Sequence, residues 1–201
     1  MDASGGNMAD RGLSDEGTSR REFAAATTNL EMGRELAAAL GGVFYADERE
    51  HWQHLPFRGL VTVAGSHADA LQTVGDVGLY RVERRVVKPG KANVFGLFPM
   101  VRAAGLTHLQ ADAHWRDVHG ALALTHHGHM VEYVQLNVVE TISGAPFDGF
   151  ALCGFVSEDD LRHRFYSTAE GPGVIARDVA CFSDLERSPR RLIASAERFA
   201  V

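Results

Sequence analysis

The chain has 201 residues, which is enough for one ordinary domain or for two small halves that share a core. It is 45% hydrophobic and 23% charged, as a globular protein is. The net charge of −6 argues against a basic surface that binds the phosphate backbone of a nucleic acid, so we expect no nucleic acid partner. No apolar run reaches transmembrane length, so no membrane is expected as a partner either.

The first segment, residues 1–20, is rich in small and polar residues and predicts a disordered tail. At its end, Ser19-Arg20-Arg21-Glu22-Phe23 resembles a twin-arginine export signal. The residues that follow include Glu31, Arg34 and Glu35, whereas the core of a signal peptide is uncharged. We therefore expect a cytoplasmic protein, with export as the alternative.

Residues 21–90 are predicted to form the first half of the folded structure, a degenerate ferredoxin-like unit. Its clearest element is a helix from Leu30 to Leu40, which carries an apolar stripe and ends at Gly41-Gly42. A short second helix is expected after Ser66, which forms a capping-box pattern with Asp69. Strands are predicted at 23–28, 43–52, 59–64 and 79–87, with a linker at 88–91.

The second half, residues 91–201, repeats this order. Thr107 and Gln110 form a capping box for a helix that is expected to end near His119. Ser157 and Asp160 mark the start of another helix. The remaining predicted elements are strands at 94–101, 130–141, 150–156 and 191–201, a short irregular helix or loop at 122–129, a loop at 171–173 and a helix at 174–185.

The order β-α-β-β-α-β thus occurs twice, which is the ferredoxin-like plan. Similar short sequences recur at equivalent places, such as Arg58-Gly59-Leu60-Val61 and Asp148-Gly149-Phe150-Ala151, and duplication explains them better than chance. A sheet with helices on one face must bury its other face. We therefore predict an α+β fold in which tandem ferredoxin-like units pack their antiparallel sheets as an α/β barrel.

The strand at 130–141 carries the residues that suggest a binding site. Tyr133, Gln135 and Asn137 share one face of this strand. The other face carries mainly apolar residues: Met130, Val134, Leu136 and Val138. We expect the apolar face to pack under helices and the polar face to line a cavity of the barrel, with a solvated sheet surface as the alternative.

A possible proton-transfer residue lies on the preceding helix. Trp115 and His119 are four residues apart and project from one side of the helix. Near a helix C-terminus the helix dipole stabilises a protonated His119, which suits a general acid or base. Alternatively, His119 hydrogen-bonds a backbone carbonyl before Gly120. His114 lies on a different face and is expected to be exposed.

The segment Thr125-His126-His127-Gly128-His129 is unusually rich in histidine. Zinc sites use neighbouring histidines, but no cysteine or carboxylate cluster accompanies these three. We expect no metal here, and interpret the segment as a solvated loop or as the rim of a cavity. The sequence also has neither a glycine-rich phosphate loop nor a Gly-x-Ser-x-Gly motif, which disfavours nucleotide and serine-hydrolase chemistry.

Two motifs together resemble the EthD family of dimeric α/β-barrel proteins. They are Trp115-Arg116-x-x-His119-Gly120 and Tyr133-Val134-Gln135-x-Asn137. The resemblance is closest over residues 94–141 and looser to residue 201. This chain departs from the family at Ala121, where proline is usual, and at Ala111, where an aromatic residue is frequent. Because of these departures, the resemblance implies no particular substrate.

The resemblance implies a barrel that binds a hydrophobic or aromatic small molecule. We expect His119 and Tyr133 to be catalytic, with Tyr133 stabilising an oxyanion. Trp115, Gln135 and Asn137 are expected to bind substrate, Trp115 mainly by packing.

The leading functional hypothesis is a lyase or cyclase of the decarboxylase or dehydratase type. It would need no cofactor and act on an aromatic or polyketide-like substrate. The alternatives are an α/β-barrel monooxygenase, cofactor-free or haem-linked, and a non-catalytic accessory protein that binds a small molecule. The family commonly pairs, so a homodimer is possible, although internal duplication could replace it.

Overall fold

The computed structural model describes residues 20–65 and 67–200. The predicted disorder of the N-terminal tail, up to residue 19, and the predicted Ser66 cap lie outside these residues. The strands are β1 (Arg20–Thr27), β2 (Val43–Ala46), β3 (Gly59–Ala64), β4 (Gly78–Lys88), β5 (Val94–Met100), β6 (Glu132–Gly144), β7 (Gly149–Phe155) and β8 (Leu192–Arg198). The helices are α1 (Leu30–Leu40), α2 (Ala68–Gln72), α3 (His108–His114), a π-helix (Trp115–His119), α4 (Gly120–His126), α5 (Glu158–His163) and α6 (Gly171–Phe182).

The eight strands form one closed antiparallel barrel in the order β1-β3-β2-β8-β5-β7-β6-β4. Within it, β4-β1-β3-β2 and β8-β5-β7-β6 have the same internal order, which is that of a ferredoxin-like sheet. The two sheets join along β2–β8 and β4–β6. The predicted α+β fold, with tandem ferredoxin-like units closed into an α/β barrel, is confirmed.

The interior of the barrel is a packed apolar core, and this corrects the predicted strand faces. Val134, Leu136 and Val138 of β6 pack inside the barrel with side chains from all the other strands. Tyr133 instead packs outside the barrel, with Ala123 of α4 and residues of neighbouring strands. Alternation along a strand fixes which residues share a face, but it does not fix which face the helices cover.

Capping contacts confirm the predicted end of α1 and the predicted start of α3. The Asn29 side chain accepts a hydrogen bond from the Met32 amide at the start of α1, and Gly41 ends α1 in the left-handed conformation with φ 63°. At the start of α3, Thr107 and Gln110 form the predicted capping box.

Three differences from the predicted elements exceed a shift of a few residues at one end. Strand β2 ends at Ala46 rather than continuing to Trp52. The predicted loop at 171–173 is the first turn of α6, where Pro172 needs no hydrogen-bond acceptor for its nitrogen. The helix expected to end near His119 continues through the π-helix into α4 as far as His126.

Within residues 20–65 and 67–200, no helix is both long enough and apolar enough to cross a membrane.

Candidate active site

A cavity of about 460 Å³ lies between the outer face of the second-half sheet and the helices that cover it. This volume is in the range of small-molecule sites. The lining residues are mainly apolar, and all of them lie between positions 98 and 190. The prediction of a cavity in the barrel interior is therefore wrong. The first half of the chain does not line the cavity either. Three of the predicted site residues line it: Trp115, His119 and Tyr133.

A π-helix brings Trp115 and His119 onto the cavity wall. The Gly120 amide donates to the Trp115 carbonyl, the i to i+5 bond that defines this wider turn. The Trp115 ring packs against the start of β7, where a side-chain carbon at Gly149 would lie 2.6 Å from it. Glycine at position 149 thus permits the close approach of the indole.

His119 is held by a carboxylate that the sequence analysis missed. Its Nδ1 lies 2.7 Å from Oδ2 of Asp178, which α6 supplies. His119 and Asp178 are both at least 90% buried. Because a carboxylate only accepts hydrogen bonds, Nδ1 carries the proton and Nε2 carries the lone pair. Nε2 has no hydrogen-bond partner among the described residues.

Burial lowers the pKa of His119 below its usual value, although the hydrogen bond to Asp178 opposes this change. The imidazole is therefore neutral at pH 7 and suited to accept a proton. Two predictions for His119 are wrong: it lies neither at a helix C-terminus nor in a turn before Gly120. Instead it lies within a continuous helical segment. The His119 imidazole is thus positioned by Asp178 rather than by a helix end.

His114 shares the same carboxylate, and this corrects its predicted exposure. His114 Nε2 lies 2.7 Å from Oδ1 of Asp178, and its side chain is only 28% exposed. Its ring stacks on Phe182 at a centroid distance of 5.4 Å. Asp178 is therefore fixed through both oxygens, one to each imidazole.

Tyr133 lies beside Trp115 in a buried hydrogen-bond network. Its hydroxyl oxygen accepts from Trp115 Nε1 at 3.1 Å and from Gln135 Nε2 at 3.2 Å. Burial raises the pKa of Tyr133, so the hydroxyl stays protonated. Its own proton has no acceptor among the described residues. Tyr133 is thus a fully buried residue of the cavity wall that still has one hydrogen-bond donor to offer.

The predicted substrate-binding residues Gln135 and Asn137 do not line the cavity. The Gln135 amide donates to the Trp115 carbonyl at 3.0 Å and accepts from Arg85, so it supports the π-helix and Tyr133 from behind. Asn137 is buried on β6, and its Oδ1 has no hydrogen-bond partner. Gln135 is therefore bonded to the π-helix and to Tyr133 instead of facing the cavity.

The histidine-rich segment lies at one side of the cavity rather than in solvent. His127 is 3% exposed and lines the cavity, whereas His126 is buried against Thr168. His129 is paired with Arg164 outside the lining. The described part of the chain contains no cluster of three or more His, Cys, Asp or Glu residues placed to hold a metal ion.

Cys153 is the remaining group on the wall with reactive potential. It pairs with Tyr133 across β6 and β7, and burial raises the pKa of its thiol to about 12. At neutral pH it is therefore a protonated, weakly polar wall residue rather than a nucleophile.

The residue that sequence reasoning missed, Asp178, had one usable signal. It lies in the apolar segment Val174 to Phe182, where a charged residue on the buried side of a helix requires a partner. Which partner it would find depends on how α6 crosses the π-helix, and only the tertiary structure shows this.

Comparison with known proteins establishes the fold. A protein from Lactobacillus acidophilus NCFM, proposed to be a monooxygenase, is similar with a TM-score of 0.50 and 10% sequence identity, over 92% of this chain and 98% of that chain. An anthrone oxidase-like protein gives a TM-score of 0.48 and 11% identity, over 89% and 92% of the two chains. No family model and no curated protein sequence matches.

Proposed function

We propose that this protein is a monooxygenase that needs no cofactor and acts on an aromatic small molecule. The observation that carries the proposal is the buried His119, whose Nδ1 is fixed by Asp178 and whose unpartnered Nε2 belongs to an apolar cavity wall. A fixed neutral imidazole in a cavity is equipped to remove a proton from a bound molecule. The EthD-like motif supports the same small-molecule chemistry.

The first step is removal of a proton from a carbon next to a carbonyl group. His119 Nε2 takes the proton, and Asp178 stabilises the imidazolium that forms. The carbonyl oxygen gains negative charge and accepts a hydrogen bond from the Tyr133 hydroxyl, whose own oxygen is held by two donors. The apolar wall excludes water, which strengthens both interactions.

The second step joins the carbanion to O₂. A carbon–oxygen bond forms, and the peroxide takes the proton from His119 to give a hydroperoxide. Loss of water then leaves a new carbonyl group, so the methylene and O₂ become a ketone and one water molecule. The substrate supplies all the electrons, and no external reductant is required.

The structural likeness to a proposed monooxygenase favours oxygen chemistry over the lyase or cyclase that the sequence suggested. The monooxygenase reaction and the lyase or cyclase reaction begin with the same removal of a proton. They differ in whether the carbanion then reacts with O₂. Consumption of O₂ is therefore the observation that separates them.

The test measures O₂ uptake with 2-tetralone and 2-indanone, which carry an acidic methylene beside a ketone and an aromatic ring. We expect uptake with the wild-type protein and its loss in His119→Ala. His163→Ala is the matched control, because His163 is exposed and does not line the cavity. Labelling with ¹⁸O₂ should place one labelled atom in the product.

Uptake that survives in His119→Ala would contradict the proposal. Product formation in the absence of O₂ would favour the lyase or cyclase. A Soret band on the purified protein would show that oxygen chemistry involves haem, against the cofactor-free reaction.

A further inference from the structure

The cavity contains a second imidazole, His127, that the proposed reaction does not use. Its ring is 97% buried, and its Nδ1 lies 2.8 Å from the Phe165 carbonyl oxygen. A carbonyl oxygen only accepts hydrogen bonds, so Nδ1 must be the protonated nitrogen. The lone pair is therefore on Nε2.

Nε2 of His127 has no hydrogen-bond donor among the described residues. The ring is fixed in place, since Phe165 and Tyr166 pack against it at centroid distances of 4.3 Å and 5.1 Å. Nε2 keeps accessible surface, because it is not one of the fully buried, unpartnered polar atoms of the described side chains. A donor that reaches this surface would complete the hydrogen bonding of the ring. The cavity that His127 lines is where such a partner would bind.

The chemistry of Nε2 restricts the ligand group that can fill this position. Burial lowers the pKa of His127 to about 4, so the ring stays neutral at pH 7 and Nε2 remains an acceptor. A carboxylate or an ether oxygen would place one lone pair against another. A hydroxyl group can donate, and one on an aromatic ring would also suit the surrounding Phe98, Phe165 and Tyr166.

We infer that His127 Nε2 is the binding position for a ring hydroxyl, and that the ligands of this cavity are hydroxylated aromatic molecules. This inference rests on the proposed function for the identity of the cavity, and it names the substrate class. His127 would be a specificity-determining residue, separate from His119, which moves the proton.

The test compares the binding of 2-naphthol and 2-methoxynaphthalene by titration calorimetry. Only 2-naphthol can donate a hydrogen bond, and 2-methoxynaphthalene has one additional methyl group, so the change in preference between the wild type and His127→Phe is what measures the hydrogen bond. For the wild-type protein we expect 2-naphthol to bind about 3- to 30-fold more tightly, the range for one hydrogen bond to a buried acceptor. In His127→Phe the preference should fall to about 1, while 2-methoxynaphthalene still binds and shows that the cavity is intact.

His129→Gln is the matched control in the same segment, and it should keep the wild-type preference because His129 does not line the cavity. A second measurement needs no variant at the binding position. In ¹⁵N NMR spectra, 2-naphthol should shift the Nε2 resonance of His127, and 2-methoxynaphthalene should not.

An unchanged preference in His127→Phe would overturn the inference. If His119→Phe alone abolished the preference, the hydroxyl would bind His119, and the inference would be wrong while the proposed function stood. Conversely, absence of O₂ uptake with an intact preference at His127 would contradict the proposed function and leave the hydroxyl position in place.

Discussion

Replacing Tyr133 by phenylalanine tests the hydrogen-bond network behind the cavity without any substrate. The change removes the acceptor of two buried donors, Trp115 Nε1 and Gln135 Nε2. Gln135 keeps the Trp115 carbonyl as the acceptor of one amide N–H, so its second amide N–H and the indole N–H both lose their acceptor. Leaving a buried donor unsatisfied costs about 1–3 kcal/mol, so the free energy of unfolding should fall by at least about that amount.

The assay is urea denaturation followed by circular dichroism, which gives the free energy of unfolding for each variant. Tyr166→Phe is the matched control, because the Tyr166 side chain is partly exposed and its hydroxyl accepts no bond from a described residue. Its effect should stay within about 0.5 kcal/mol. A loss in Tyr133→Phe as small as that of the control would refute the network, since the indole N–H would then have another acceptor.

Four further predictions concern catalysis, stability and assembly. Asp178→Asn should lower turnover about 10²- to 10⁴-fold, because the amide cannot stabilise the imidazolium of His119. The rate of O₂ uptake measures this effect. Equal rates of uptake in Asp178→Asn and the wild type would show that Asp178 plays no part. Gly149→Ala should lower the melting temperature by several degrees because the added carbon meets the Trp115 ring. Gly120→Ala is the control, because Gly120 has helical φ and the added carbon would meet nothing closer than 3.7 Å; equal melting temperatures for Gly149→Ala and the wild type would contradict the close approach of the indole. His127 has a lowered pKa of about 4, so the stability that comes from burying its neutral ring is present above about pH 6.5 and is lost as the pH falls toward 4. His127→Gln should therefore reduce the change in the free energy of unfolding over this pH range by up to about 3 kcal/mol. An identical pH dependence in His127→Gln and the wild type would contradict the burial of a neutral His127. Light scattering should give the mass of one chain, because the described strands close on each other and leave no edge to pair; a dimer would contradict this.

Much of the fold could be predicted because its signals are local. The capping box at Thr107 and the glycine after Leu40 placed helix ends directly. The repeated order of strands and helices then predicted two ferredoxin-like units, and the need to bury two bare sheet faces predicted the barrel. The wrong loop at residues 171–173 and the wrong helix end near His119 both came from glycine. A glycine marks a helix end in some sequences and is tolerated within a helix in others.

The lining of the candidate site was predicted only in part, because it depends on contacts between distant segments. Trp115, His119 and Tyr133 were identified from spacing along one helix and one strand, and all three line the cavity. The orientation of β6 was predicted wrongly, since alternation does not distinguish the inside of a barrel from its helix-covered outside. Asp178 lies 59 residues from His119 along the chain, and no local pattern joins them.

The central claim is that His119 Nε2 removes a proton from a carbon acid bound in the cavity. The most direct measurement is the exchange of the C1 hydrogens of 2-tetralone in D₂O under argon, followed by ¹H NMR, which detects this step whether or not O₂ reacts afterwards. We predict that the wild-type protein accelerates exchange above the buffer rate, that His119→Ala removes the acceleration and that His163→Ala retains it. Exchange at the same rate in wild type and His119→Ala would contradict the claim.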